Sequence, residues 1–171
     1  QEVDQAVINV LESSMFIGGK AVNNFSNNLA AYNASKHVIP CANGTDALQI
    51  AMMALGLQPG DEVITPSFTY IATTEVVALL KLTPVFVEVD PYTFCLDPES
   101  VRKAITPKTK AIVPVHIFGQ PVDLAPLKAL CLKHNLKLIE DAAQSFGASY
   151  GGRMSGAYGD IGCTSFYSSK N

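Results

Sequence analysis

What most restricts the fold of this chain is the order in which two periodicities follow one another. Short apolar runs with little apolar/polar alternation stand at 38–42 (VIPCA), 61–66 (DEVITP), 83–89 (TPVFVEV), 110–116 (KAIVPVH), 137–143 (KLIEDAA) and 160–168 (DIGCTSFYS). Between them lie stretches with helical spacing: TDALQIAMMALGL, TYIATTEVVALLKL, PESVRKAI and DLAPLKALCLKHN. Strands that stay apolar throughout are strands covered on both faces, and the intervening helices supply the cover. The rhythm predicts a three-layer α/β/α fold around a mostly parallel, mixed sheet. Ahead of it, Val3, Ala6, Val7, Val10 and Leu11 recur at helical spacing, and Val22, Phe25, Leu29 and Tyr32 repeat the pattern after Gly18-Gly19. Two amphipathic helices therefore open the chain, as a helical segment over about 1–35. Pro59-Gly60 and Pro91-Tyr92 mark turns, Gly151-Gly152 a hairpin, and Thr45 and Asp123 are the expected N-caps.

Composition removes several classes of function. The 171 residues carry a net charge of −3 with no Lys/Arg cluster, which excludes nucleic acid and anionic membrane surfaces as expected partners. Glu75 and Lys81 interrupt the most apolar stretch, and QEVDQAVINVLES lacks the basic start of a signal peptide, so a soluble, cytoplasmic protein is expected. Cys41, Cys95, Cys131 and Cys163 form no CxxC pair; they are expected as reduced core residues, with no metal site. The sequons at Asn24, Asn33 and Asn43 carry no weight without secretion. The chain stops at Lys170-Asn171 directly after an apolar run with no closing cap, which predicts a fragment of a longer protein.

Ligands of open α/β sheets bind beyond the carboxyl ends of the strands, where four sets of polar residues stand. In Asn43-Gly44-Thr45-Asp46, Gly44 permits a tight turn, and the N–H groups of Thr45 and Asp46 with the Thr45 hydroxyl suit a phosphate at a helix N-terminus. An ordinary capped helix reads the same way. Glu140 and Asp141 end a strand, where an acid is either solvated or holds a protonated ring nitrogen. Tyr70 can stack on a planar ring or pack into the core. Lys170, after Ser165-Phe-Tyr-Ser-Ser, is a Schiff-base nucleophile if its surroundings lower its pKa, and otherwise one more solvated lysine.

Read together and in order, Phe16-Ile-Gly-Gly, NGTDAL, LGLQPGDEVITPSFTYIAT, PVFVEVD, AIVPVHIFGQPVDL, LIEDAAQSFGASYGG, GDIG and SFYSSKN resemble the DegT/DnrJ/EryC1/StrS family of pyridoxal-phosphate (PLP) sugar aminotransferases. The resemblance implies the fold type I large domain over residues 1–171, with the family's C-terminal small domain absent from the chain. It implies that Lys170 forms the internal aldimine with PLP and shuttles the proton, and that Asp141 pairs with the pyridine nitrogen. It further implies that Tyr70 stacks on the ring, that Gly44, Thr45, Asp46 and Ser165 surround the phosphate, and that Gln144 lies on the ring's hydroxyl side. The implied reaction is ping-pong transfer of an amino group from glutamate to a nucleotide-linked keto sugar, in a homodimer with shared active sites, within polysaccharide biosynthesis. A lysine at position 170 argues against the sugar-dehydrating branch, which carries histidine there. Another fold type I PLP enzyme, such as a lyase or aromatic amine synthase, and a non-catalytic or truncated relative are the alternatives. His116 is left as a structural residue or a site residue, and neither the sugar, its ring position nor its nucleotide is legible.

Overall fold

The computed structural model describes residues 1–170, which divide into two compact units meeting at Pro40 and Cys41. The first holds helices α1 (Glu2–Ser13) and α2 (Lys20–Asn33). Helix α1 ends at Ser14 in the left-handed conformation, and its apolar residues Val3, Val7 and Leu11 are exposed. The break between the helices needs glycine at position 19: a Cβ there would lie 2.5 Å from the carbonyl oxygen of Met15.

The second unit is built on a five-stranded sheet. Its strands are β1 (Glu62–Pro66), β2 (Thr83–Val87), β3 (Thr109–Ile112), β4 (Lys137–Asp141) and β7 (Ile161–Cys163). They lie in the order β2-β1-β3-β4-β7, every pair parallel. A separate hairpin, β5 (Ser149–Tyr150) with β6 (Arg153–Met154), turns at Gly151-Gly152. Both turn glycines have positive φ (55° and 79°), as the reversal demands.

Strand periodicity sorts the apolar residues into two cores. Val63, Ala111, Val113, Ile139 and Cys163 face α3 (Gly44–Ala54) and α4 (Ala72–Leu79), meeting Leu48, Met52, Val76 and Val77. Their neighbours Ile64, Ile112 and Leu138 face α5 (Pro98–Ala104) and α6 (Leu124–His134), meeting Val101, Leu127 and Cys131. Because consecutive residues serve opposite cores, the central strands are apolar throughout, which is why they show no alternation. Burying each of the Val, Leu, Ile and Met side chains among them contributes roughly 1.5–3 kcal/mol. The chain leaves β1 over the α3/α4 face and β3 over the α5/α6 face, so the crossovers diverge between these neighbouring strands. That divergence is a topological switch point, with its crevice at the carboxyl edge.

Three sequence expectations are corrected. Residues 38–42 form no strand: Ile39 and Cys41 are exposed, and Pro40 has no N–H to give a ladder. The cap of α3 is Asn43, not Thr45. Asn43 has the extended backbone a cap requires, and its Oδ1 accepts the Asp46 N–H at 2.9 Å, which puts Thr45 inside the first turn. Cys41 is exposed rather than core, whereas Cys95, Cys131 and Cys163 are buried, and all four are free. Asp123 does precede α6, yet its carboxylate bonds the Tyr150 hydroxyl, and that hydroxyl in turn accepts the Ala125 N–H at 3.3 Å. The cap is thereby relayed through a tyrosine.

Candidate active site

At the end of β4 two adjacent carboxylates leave on opposite faces, as residues of one strand must. Glu140 points into the α5/α6 side and is fully buried. Its Oε2 accepts from His116 Nε2 and Gly156 N, each at 3.0 Å, and its Oε1 from Tyr158 N at 2.7 Å and Gly159 N at 2.6 Å. Because the Val122 N–H donates to His116 Nδ1 at 3.1 Å, the ring hydrogen sits on Nε2. Burial pushes the Glu140 carboxyl up, but His116 and the Gly159 and Gly156 N–H groups outweigh it and hold the carboxyl below its ordinary range. Glu140 and His116 thus form a satisfied structural cross-link, which settles the open reading of His116.

Asp141 points to the α3/α4 face and is 6% exposed. Its Oδ2 accepts from the Thr73 hydroxyl at 2.7 Å and its Oδ1 from the Ala143 N–H at 3.2 Å. Among the described residues it has no ion-pair partner. Burial raises its pKa above the ordinary carboxylate value, against the pull of Thr73, Ala143 and the charge of Lys170. A carboxylate desolvated to this degree, at a ligand edge and without a counter-cation, is suited to a cationic N–H donor.

The other predicted residues gather on the same face. Tyr70 lies in the loop after β1, just before α4, and the Lys170 ammonium stands 5.9 Å from its ring centroid. The Lys170 amide is tied back to Tyr167 O at 2.7 Å. Helix α3 begins beside residue 165: a Cβ on Gly44 would meet Ser165 Cβ at 3.0 Å and Oγ at 3.4 Å, so glycine allows this approach. The Asp46 N–H, expected to be free, is taken by Asn43, whose Nδ2 also donates to the Asp46 carboxylate at 3.0 Å. The amides of Gly44 and Thr45 keep no intrachain partner among the described residues, leaving a helix end with open N–H groups and the Ser165 hydroxyl beside it. The Thr65 hydroxyl, at the end of β1 on this face, is buried and has no hydrogen-bond partner.

Gln144 stands on the loop after β4, and its Oε1 accepts the Phe118 N–H at 2.9 Å. This holds Phe118 at φ 56°, a left-handed conformation rarely adopted by an aromatic residue. Phe118 joins Phe68 and Phe94, from the loops after β1 and β2, with ring centroids 5.4–6.4 Å apart. Thr73, Asn43 and the Phe118 contact were not legible in the sequence. Only the Asn at the head of NGTDAL carried a signal, as a residue type favoured at caps.

The parallel sheet and its carboxyl-edge cluster define the α/β fold of the PLP-dependent transferases of fold type I. The sequence matches the DegT/DnrJ/EryC1/StrS aminotransferase family over residues 1–171, and the chain belongs to that family. It is 51% identical over 169 residues to a UDP-2-acetamido-2-deoxy-3-oxo-D-glucuronate aminotransferase of Pseudomonas aeruginosa, covering 99% of this chain and 47% of that protein. An aminotransferase from Psychrobacter cryohalolentis superposes with a TM-score of 0.96 at 42% identity, over 99% of this chain and 44% of the other. NtdA of Bacillus subtilis, solved with bound cofactor PMP, superposes at 0.83 with 39% identity, over 85% of this chain and 33% of its own. The chain spans about half the length of the curated relatives it matches. Among the described residues, no helix is long and apolar enough to cross a membrane.

Proposed function

We propose that the full-length protein is a PLP-dependent aminotransferase that moves an amino group from glutamate to a nucleotide-linked keto sugar. In this reading residues 1–171 form the large, cofactor-binding domain, and the small domain lies outside this chain. The protein works as a cytoplasmic homodimer with shared active sites, serving polysaccharide biosynthesis. The observation that carries the reading is Asp141: a buried carboxylate with no ion-pair partner among the described residues, on the same face as the Lys170–Tyr70 pair and the open helix end at Gly44.

The residues present fit the cofactor. The Gly44 and Thr45 amides, with the Thr45 and Ser165 hydroxyls, suit its phosphate; the Asp46 carboxylate, held by Asn43, shapes the turn rather than touching the anion. Tyr70 would cover one ring face, and the Gln144 Nε2, left free by the bond from Phe118 to Oε1, can donate toward the ring hydroxyl. When bound, PLP supplies an electron sink for the carbanion formed at the substrate carbon. Lys170 Nζ would hold the cofactor and, once displaced by the substrate amine, take the proton from the donor's α-carbon and return one at C4′. Asp141 keeps a proton on the ring nitrogen by stabilising the positive charge there.

The test uses the purified full-length protein with added PLP. A visible band that borohydride fixes to Lys170 by peptide mapping, that is absent in Lys170→Ala and that glutamate bleaches supports the reading. A colourless protein indistinguishable from Lys170→Ala overturns it. Mass spectrometry with glutamate and a panel of nucleotide keto sugars then identifies the substrate.

A further inference from the structure

One residue joins two of the groups assigned above and has no role of its own in them. Thr73 lies in the first turn of α4 and is 1% exposed. Its amide donates to the Tyr70 carbonyl at 3.3 Å, and its hydroxyl donates to Asp141 Oδ2 at 2.7 Å, 68 residues further along the chain. A threonine hydroxyl in a helix ordinarily returns to a carbonyl three or four residues back. Here it is directed across the sheet edge instead. A carboxylate turns easily about its last torsion, so a strand end alone does not fix its plane. Two donors from different elements do: Thr73 on Oδ2 and the Ala143 amide on Oδ1, each leaving further lone pairs for a ligand.

We propose that Thr73 is a positioning residue for the cofactor ring, its hydroxyl fixing the plane of the Asp141 carboxylate while its amide ties the same residue to the Tyr70 backbone. The proposal rests on the reading of Asp141 as the ring-nitrogen partner. Of the forces opposing the burial of Asp141, the Thr73 hydrogen bond is the largest, so its loss also makes the carboxylate more basic. Valine matches threonine in shape and lacks the hydroxyl; serine keeps the hydroxyl.

The experiment titrates full-length wild type, Thr73→Val and Thr73→Ser with PLP and with its 1-deaza analogue, in which carbon replaces the ring nitrogen. It also records the pH dependence of the PLP absorbance band. Thr73→Val is expected to bind PLP about tenfold more weakly, because the Asp141 carboxylate must then be oriented on binding rather than beforehand. Its spectral pH midpoint moves, its affinity for the analogue stays at the wild-type value, and Thr73→Ser restores both PLP measures. Equal PLP binding and pH profile in wild type and Thr73→Val would overturn the proposal, as would an equal loss of PLP and analogue, which marks a merely structural role. Wild type that fails to bind PLP, or Asp141→Asn that binds it like wild type, overturns the underlying reading and this proposal with it.

Discussion

Replacing Asp141 with asparagine removes one charge while leaving the hydrogen bonds around it intact. In the native site Oδ1 accepts from the Ala143 N–H and Oδ2 from the Thr73 hydroxyl. An asparagine oxygen can face Ala143 while its NH2 faces Thr73, because a hydroxyl accepts as readily as it donates. What changes is the desolvated charge. Burial places the folded pKa of Asp141 above its unfolded value, so its favourable contribution is full below the unfolded pKa and is lost as pH rises through the folded pKa. Above that folded pKa the cofactor-free protein bears the whole penalty and the variant bears none. The expected gain is about 1–2 kcal/mol, as at other sites where function holds a destabilising group. At about 2.1 cal/mol/K per residue, in a full-length protein about twice this length, each kcal/mol shifts Tm by about 1–2 °C, so Tm rises by about 1–3 °C. On the proposed role of Asp141 the order is expected to reverse with PLP, since losing a charge-assisted hydrogen bond to the ring nitrogen would weaken binding about 10- to 100-fold. Calorimetric melts at pH 5 and 8, with and without PLP, read both effects. A cofactor-free Asp141→Asn that melts below wild type by a pH-independent margin would refute the reasoning.

Glu140→Gln is expected to act in the opposite direction, because all four contacts of Glu140 are donors and an amide NH2 meets two of them. Urea unfolding at pH 7 should show a loss of about 3 kcal/mol or more. The folded pKa of Glu140 is depressed, so its contribution holds above the unfolded pKa, and the deficit should shrink as pH falls through the folded value. Gly44→Ala, which pushes a methyl against Ser165, should weaken PLP binding several-fold with little change in the cofactor-free Tm, as followed by absorbance titration. Of the four thiols, Cys41 alone should react with a thiol reagent in the native protein. Burial pushes Cys131 to about 11 and Cys163 to about 12, and these should react only after unfolding.

The central strands between Glu62 and Cys163 were legible because two opposed cores take successive residues of each strand. The same signal misled at 38–42, where a run just as apolar lies exposed; apolar content reports burial only where a neighbouring element can cover it. The start of α3 was legible as a helix N-terminus, but its cap was misplaced because asparagine and threonine both serve and sequence does not show which one carries extended backbone. Thr73 was invisible for a different reason. Its hydroxyl contact spans 68 residues, and local pattern contains no information about such a pairing.

Glu140 and Asp141 show why the site could be read only in outline. In the sequence they are one acidic pair at a strand end, with the same prospects. The two-residue period of the strand sends them to opposite faces, and each face decides a different chemistry. On the α5/α6 side, three backbone N–H groups and the His116 Nε2–H close around Glu140 until it has no capacity left for a ligand. On the α3/α4 side, Asp141 meets one hydroxyl, 68 residues away in sequence, and one local amide, which hold it in place without neutralising it. A carboxylate stays open to a ligand when the fold orients it and leaves it lone pairs to spare, and that condition separates two neighbouring acids by a single step along β4.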